Sequence, residues 1–213
     1  YFSLYDRLKM TYFYIKSPKT DPIKLKYPWT TYHASIIISQ ITKHKSKIFE
    51  YGLGASTLFF RKISNYVISI EHDYEWFYKL SNILTDKKNH KLLFIPPKLN
   101  EITNNISLND YVSSDQKYSN LNFYDYITSI DNFPDNFFDI IFVDGRCRNM
   151  AIKHSIPKLK KNGYLIIDDS ERNEYFHGIN KKNINGNFKL IINSYTNRLY
   201  LNNLGETSIY IKL

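Results

Sequence analysis

The sequence predicts an α/β fold, a mostly parallel sheet with crossover helices on both faces. Three observations carry this expectation. Short apolar runs rich in β-branched residues alternate with longer segments of helical period. Two of those runs, "IIFVDG" and "YLIIDD", end in acidic residues, which places carboxylates at the C-terminal edge where open α/β sheets bind ligands. No internal repeat and no Pro- or Gly-rich linker divides the chain, so residues 1–213 read as a single domain.

Strands are expected at about 47–51, 67–71, 91–95, 138–143 and 163–168. Helices are expected at about 31–45, 56–65, 74–87, 147–160 and 170–178, and residues 1–45 form an N-terminal helical or lid segment. Two last strands, near 187–194 and 207–212, are joined by "NSYTNRLYLNNLGET", which has no helical pattern. They are expected to pair antiparallel at one sheet edge. Residues 96–122 are polar and irregular, and a loop of that length is more often functional than a mere connection.

Composition sets outer bounds. Hydrophobic residues make up 43% of the chain, enough for a packed core. No apolar run approaches the roughly 18 to 20 residues of a membrane span, and no signal-peptide pattern opens the chain. Cys147 is the single cysteine, which excludes an internal disulfide and a cysteine-based metal cluster. A cytoplasmic setting is expected, the host cytoplasm if the chain is viral. The first residue, Tyr1, suggests a domain cut from a longer polypeptide. The formal charge of +9 raises the question of nucleic acid, but the lysines lie in small scattered groups, so nucleic acid is expected to be an unlikely partner.

The stretch "IFEYGLGASTLFF" at 48–60 is the strongest local signal. Gly52 and Gly54 clear backbone for a ligand, but the dinucleotide fingerprint wants a third glycine where Thr57 stands. Glu50 would also sit beside a pyrophosphate and repel it. S-adenosylmethionine (SAM) removes the conflict. Its ammonium and sulfonium favour a carboxylate at the strand end, while loop amides and the helix N-terminus bind its carboxylate. A second acid should then grip the ribose from the end of the next strand, and "VISIEHD" supplies Glu71 there.

"PWTTYHASIII", "IFEYGLGASTLFF", "VISIEHDYEWFYKL", "FDIIFVDGRCRN" and "LKKNGYLIIDDSER" together resemble, in order, the segments of class I SAM-dependent methyltransferases. The resemblance covers residues 28–172 and is strongest to a branch, often linked to glycan or polysaccharide assembly, that reads E-x-G-x-G-x-S-T, V-E-H-D and V-D-G-R-x-R. It implies a Rossmann-like, mostly parallel seven-stranded sheet with an antiparallel C-terminal strand. It also implies cofactor contacts from Glu50, Gly52, Gly54, Ser56 and Thr57, with Glu71 on the ribose and Tyr32 as a lid; His72 would border the cofactor.

Chemistry is expected where Asp144, Asp168 and Asp169 end two adjacent strands. Asp144 is the leading candidate for a general base, with Asp169 and His177 beside the acceptor. The disposition is similar to the metal site of catechol and macrolide-sugar O-methyltransferases, which implies Mg²⁺ or Mn²⁺ on Asp144, Asp168 and Asp169; the alternative is that Asp168 and Glu171 cap a helix. Arg146 and Arg148 would pair with these acids or meet an anionic substrate. Cys147 reads as a small core residue. Tyr175, Phe176, Tyr195 and Tyr200 are expected near the acceptor side. The leading expectation is O-methylation of a sugar or glycan hydroxyl, for example on a deoxysugar such as rhamnose, within a larger glycan-assembly protein. The alternatives are an RNA or DNA methyltransferase, or a SAM-binding module without catalysis.

Overall fold

The computed structural model describes residues 8, 22–84, 89–99, 108–198 and 204–213. Expectations for Tyr1, most of the segment before residue 22, the end of the helix expected over 74–87 and Tyr200 lie outside these. Strands β1 (Lys47–Tyr51), β2 (Tyr66–Glu71), β3 (His90–Phe94), β6 (Phe138–Val143), β7 (Leu159–Asp168), β8 (Phe188–Asn197) and β9 (Leu204–Lys212) form one sheet. Its order is β3-β2-β1-β6-β7-β9-β8. The pairs β1–β2, β2–β3, β1–β6 and β6–β7 are parallel, while β9 runs antiparallel to both β7 and β8. This is the mostly parallel, seven-stranded arrangement with one reversed strand. Strands β4 (Lys98–Leu99) and β5 (Leu121–Asn122) make a separate small ladder, within the stretch expected to be irregular.

Side-chain alternation along the strands feeds two core layers. Phe49, Tyr51, Ile68, Ile141, Leu165 and Ile167 face one side, against helices α5 (Tyr124–Thr128) and α6 (Arg148–Lys158). Ile48, Val67, Ile140, Phe142 and Ile166 face the other, against α2 (Tyr32–Ile41) and α3 (Ala55–Ile63). Because both faces are covered, these strands read as continuous apolar runs. Leu53, Leu58 and Leu80 form a third cluster with Ile23 of the short α1 (Pro22–Leu25), under α4 (Tyr74–Ser81). Among the described residues no helix is long and apolar enough to cross a membrane.

Two expectations need correction. Strand β7 starts at Leu159, because Asn162 takes a left-handed conformation (φ 62°) and lets the "LKKNG" turn join the strand. The helix expected over 170–178 is only a 3₁₀ turn at Asn173–Phe176. The Asn149 side chain donates to the carbonyls of Tyr175 and His177 (3.0 and 2.9 Å), acceptors that a continuing helix would use itself.

Candidate active site

Strand β1 lies between β2 and β6, and the connections leaving β1 and β6 pass to different sides of it. At this switch point the C-terminal ends of the strands enclose a cavity of about 590 Å³. Its floor is the loop from Gly52 to Ser56. Gly52 needs to be glycine: its φ is +96°, and a Cβ there would press on the Asp144 carbonyl at 3.2 Å. Gly54 is different, with extended backbone (φ −171°) and no protein atom closer than 3.6 Å to a built Cβ. A side chain at Gly54 would enter open cavity, so this cradle fits a ligand against the backbone.

Glu71 braces the loop. Its two oxygens accept from the backbone N–H groups of Leu53 (2.9 Å), His72 (2.7 Å) and Asp73 (2.8 Å), and the residue still lines the cavity. An ionised carboxylate has acceptor capacity for about four bonds, which leaves Glu71 room for a ribose hydroxyl. His72 also lines the cavity, edge-on to Tyr118, Phe123 and Tyr126. Its Nδ1 is 2.7 Å from a Glu71 oxygen but out of line for a hydrogen bond, so neither ring nitrogen has a hydrogen-bond partner among the described residues. Trp76 closes the side of the cavity by donating its indole N–H to the Leu53 carbonyl.

Glu50, expected to touch the cofactor, sits behind the loop. It is fully buried and accepts hydroxyls from Ser56, Thr57 (2.7 Å) and Ser69 (2.6 Å). Burial pushes its carboxyl up to about 7, against the pull of those hydroxyls. Ser69 is the register partner of Glu50 across β1–β2, and a serine in the otherwise apolar run "VISI" was the signal that this acid has an internal partner. Thr57 likewise ties the loop, accepting from Gly54 N at 3.0 Å, and neither Glu50 nor Thr57 lines the cavity. Tyr32 is buried outside the lining, whereas Trp29, three residues earlier, reaches the cavity wall.

The far wall comes from residues 110–118. Lys117 Nζ and Tyr118 Oη contact Asp73 (2.9 and 3.3 Å), and Arg146 pairs with Asp115 at 2.8 Å. The Lys117 hydrogen bond holds the Asp73 carboxyl down at about 2. Arg146 therefore fastens this wall rather than the acids at the strand ends. Gly145 is required because a Cβ would collide with the Oη of fully buried Tyr126. Cys147 starts α6 in a left-handed conformation (φ 50°) and lines the cavity, so it is only partly a core residue; burial pushes its thiol up to about 12.

Arg148 organises the strand ends. Its guanidinium donates to the carbonyls of Gly145 (2.9 Å), Asp144 (3.2 Å) and Asp168 and to the carboxylate of Asp144 (3.0 Å), and forms an ion pair with Asp169 (3.1 Å). Arg198, within the stretch expected to be a turn, pairs with Asp168 (3.0 Å) and Asp169. The other Asp168 oxygen accepts from Thr207. The three acids thus face guanidinium groups rather than a common point, and the described residues hold no group of three or more His, Cys, Asp or Glu suited to a metal. The donor set does not fit the expected Mg²⁺ or Mn²⁺. Nor does Asp168 cap a helix, since none follows it.

Burial raises the Asp144 carboxyl well above the ordinary range, with Arg148 opposing and Asp168 and Asp169 adding to the rise. Burial raises Asp168 to about 6, while Arg148 and Arg198 overcome the burial of Asp169 and hold it low. Asp144 and Asp169 line the cavity; His177 is exposed and does not. Tyr175 lies under Arg148 at 5.1 Å and lines the cavity, whereas Phe176 is core and Tyr195 is exposed.

No protein-family model matches the chain. No curated protein matches its sequence. Solved structures do. An rRNA methylase from Streptococcus thermophilus is similar with TM-score 0.54 and 14% identity, over 92% of this chain and 98% of that one. A putative methyltransferase from Streptococcus mutans, solved in complex with SAH, gives 0.52 and 13% over 91% and 99%. The Aeropyrum pernix fibrillarin with natively bound SAM gives 0.51 and 12% over 80% and 68%. At these identities the likeness shows the fold, that of the class I methyltransferases. It does not support the glycan-linked branch. The rRNA methylase among these structures stands against the expected sugar or glycan acceptor, and against the expectation that nucleic acid is an unlikely partner.

Proposed function

We propose that this chain is a SAM-dependent methyltransferase acting on RNA. The carrying observation is the cavity at the switch point, where an open glycine cradle, Glu71 and Asp144 meet on one wall. Bound there, SAM supplies an electrophilic methyl group on a sulfonium. The chain's own groups do the rest. The Gly52–Ser56 backbone and the start of α3 receive the methionine carboxylate. Glu71 takes a ribose hydroxyl on its spare lone pair. Asp144 accepts the proton of the acceptor atom, and a carboxyl held above its usual range is a stronger base once ionised. Arg148 keeps Asp144 and Asp169 apart from each other and fixed, as alignment in methyl transfer requires.

An RNA acceptor is supported by the +9 charge, by Lys117, Arg146 and Arg172 at the cavity, and by the rRNA methylase among the similar structures. The test is transfer of labelled methyl from SAM to ribosomal RNA, transfer RNA and DNA, with Asp144→Asn beside the native chain. RNA labelling that falls on the order of 10²-fold in the variant, with SAM affinity nearly kept, is expected. A native chain that binds SAM yet labels DNA but no RNA overturns the acceptor assignment.

A further inference from the structure

Beside the first cavity lies a second, of about 340 Å³, at the ends of β6, β7 and β9. The two share Trp29, Asp144, Asp169 and Arg172, so Asp144 stands at their junction. Whatever fills the second cavity therefore adjoins the Asp144 side of the first. One wall is the indole of Trp29, 37% exposed. In the rest of the lining Asp144, Asp168, Asp169 and Glu171 outnumber Arg172 and Arg198. A bare phosphate is repelled from this interior, while a neutral group rich in N–H donors is attracted.

Spare acceptors are present for such donors. Among the described residues one Glu171 oxygen has only a long 3.4 Å contact with Arg198, and the other accepts the Glu206 N–H at 3.0 Å. Asp144 Oδ1 accepts from Arg148, and its Oδ2 accepts no hydrogen bond among the described residues. At the mouth Arg172 is half exposed and reaches Asp169 only at 4.0 Å, which leaves it able to take an anion.

We infer that the second cavity is the acceptor subsite for one unstacked, amino-bearing nucleobase, adenine, cytosine or guanine, of single-stranded RNA. The ring stacks on Trp29, its N–H donors face Asp144 and Glu171, and the flanking phosphate lies on Arg172. Uracil is disfavoured because carbonyls flank its single N–H and would meet carboxylates. The inference rests on the RNA reading above. Stacking of a base on an aromatic side chain is a general, sequence-tolerant source of affinity, so the carboxylates supply the choice among bases.

The chain has two tryptophans, and Trp76 lines the first cavity but not the second. In Trp76→Phe, fluorescence reports Trp29 alone. Hexamers of oligoadenylate, oligocytidylate and oligouridylate are the probes. Saturable quenching is expected, with adenylate and cytidylate bound about tenfold more tightly than uridylate, and Glu171→Gln should narrow that gap. Trp29→Ala should weaken oligoadenylate about tenfold by filter binding, a comparison made against the native chain that holds even if Trp76→Phe does not fold. Equal affinity for all three hexamers, or native affinity in Trp29→Ala, overturns the inference. SAH titration of the native chain by calorimetry, beside its methylation of RNA, separates the two failures. SAH binding and RNA methylation without a base preference sink the subsite alone; absence of both sinks the functional reading.

Discussion

Replacing Glu50 by glutamine isolates the cost of a fully buried acid. Burial moves this carboxyl from its ordinary 4.5 up to about 7 in the folded chain. The folded state therefore binds the proton more tightly, so stability is greatest below pH 4.5 and falls as pH rises toward 7, then levels off. Integrated between pH 5 and pH 8, this group alone removes about 2 to 3 kcal/mol. Glutamine cannot ionise and escapes that loss. It keeps one carbonyl oxygen for two of the hydroxyls of Ser56, Thr57 and Ser69, and forces the third to reverse, at about 1 kcal/mol independent of pH. Urea denaturation at pH 5 and pH 8 reads both effects. Relative to the native chain, Glu50→Gln should gain about 2 to 3 kcal/mol between the two pH values, on the order of 1 M in midpoint. Native and variant stabilities that stay parallel across this range would refute the buried, raised carboxyl.

Four other outcomes follow from the same geometry. Glu71→Ala removes both the loop brace and the ribose acceptor, so calorimetry should show SAH binding weakened by about 1 to 3 kcal/mol; native affinity would exclude Glu71 from the cofactor site. Arg148→Met leaves Asp144 without its cation and Asp169 with Arg198, and should cost about 1 to 3 kcal/mol in urea stability, with Arg148→Lys recovering part. Gly145→Ala should cost about 1 to 3 kcal/mol through overlap with Tyr126 Oη, and adding Tyr126→Phe should restore much of it; no restoration would place the strain elsewhere. Excess EDTA should leave methyl transfer unchanged, because arginines occupy the acids at the strand ends, and loss that Mg²⁺ restores would show a bound ion after all.

The sheet was legible in the sequence because periodicity and acid-terminated runs are local signals. The run 138–143 gave β6 to the residue, and Gly52, Glu71 and Asp144 fell on the cavity wall. What could not be read was set by tertiary contact. Whether a strand-end acid faces ligand or core depends on the face it takes, and Glu50 turns toward the hydroxyls of α3 and β2. Arg198 is one cation in an unpatterned stretch, yet across 30 residues it binds Asp168 and fills space a metal would need. The 170–178 segment has acceptable helix formers, but Asn149 intercepts its carbonyls from another element. The acceptor class was misjudged for a related reason: carboxylates suited to activating a hydroxyl also receive base N–H groups, and the sequence does not show which cavity they line.

The position of β9 has a consequence for the order in which the molecule assembles. It follows β8 in the chain but lies between β7 and β8, so the β8–β9 hairpin can zip up locally before either strand meets the rest of the sheet. Until it docks, β7 is a bare edge with unpaired amides and carbonyls, open to wrong partners. Docking aligns Asp168 with Thr207 in register and brings Arg198 and Leu204 to the second cavity. The cofactor side, built on β1, β2 and β6, needs none of these residues. On the proposed reading, a chain with the hairpin undocked would form the cofactor cavity before the acceptor cavity, and destabilising the β7–β9 seam would separate the two in time.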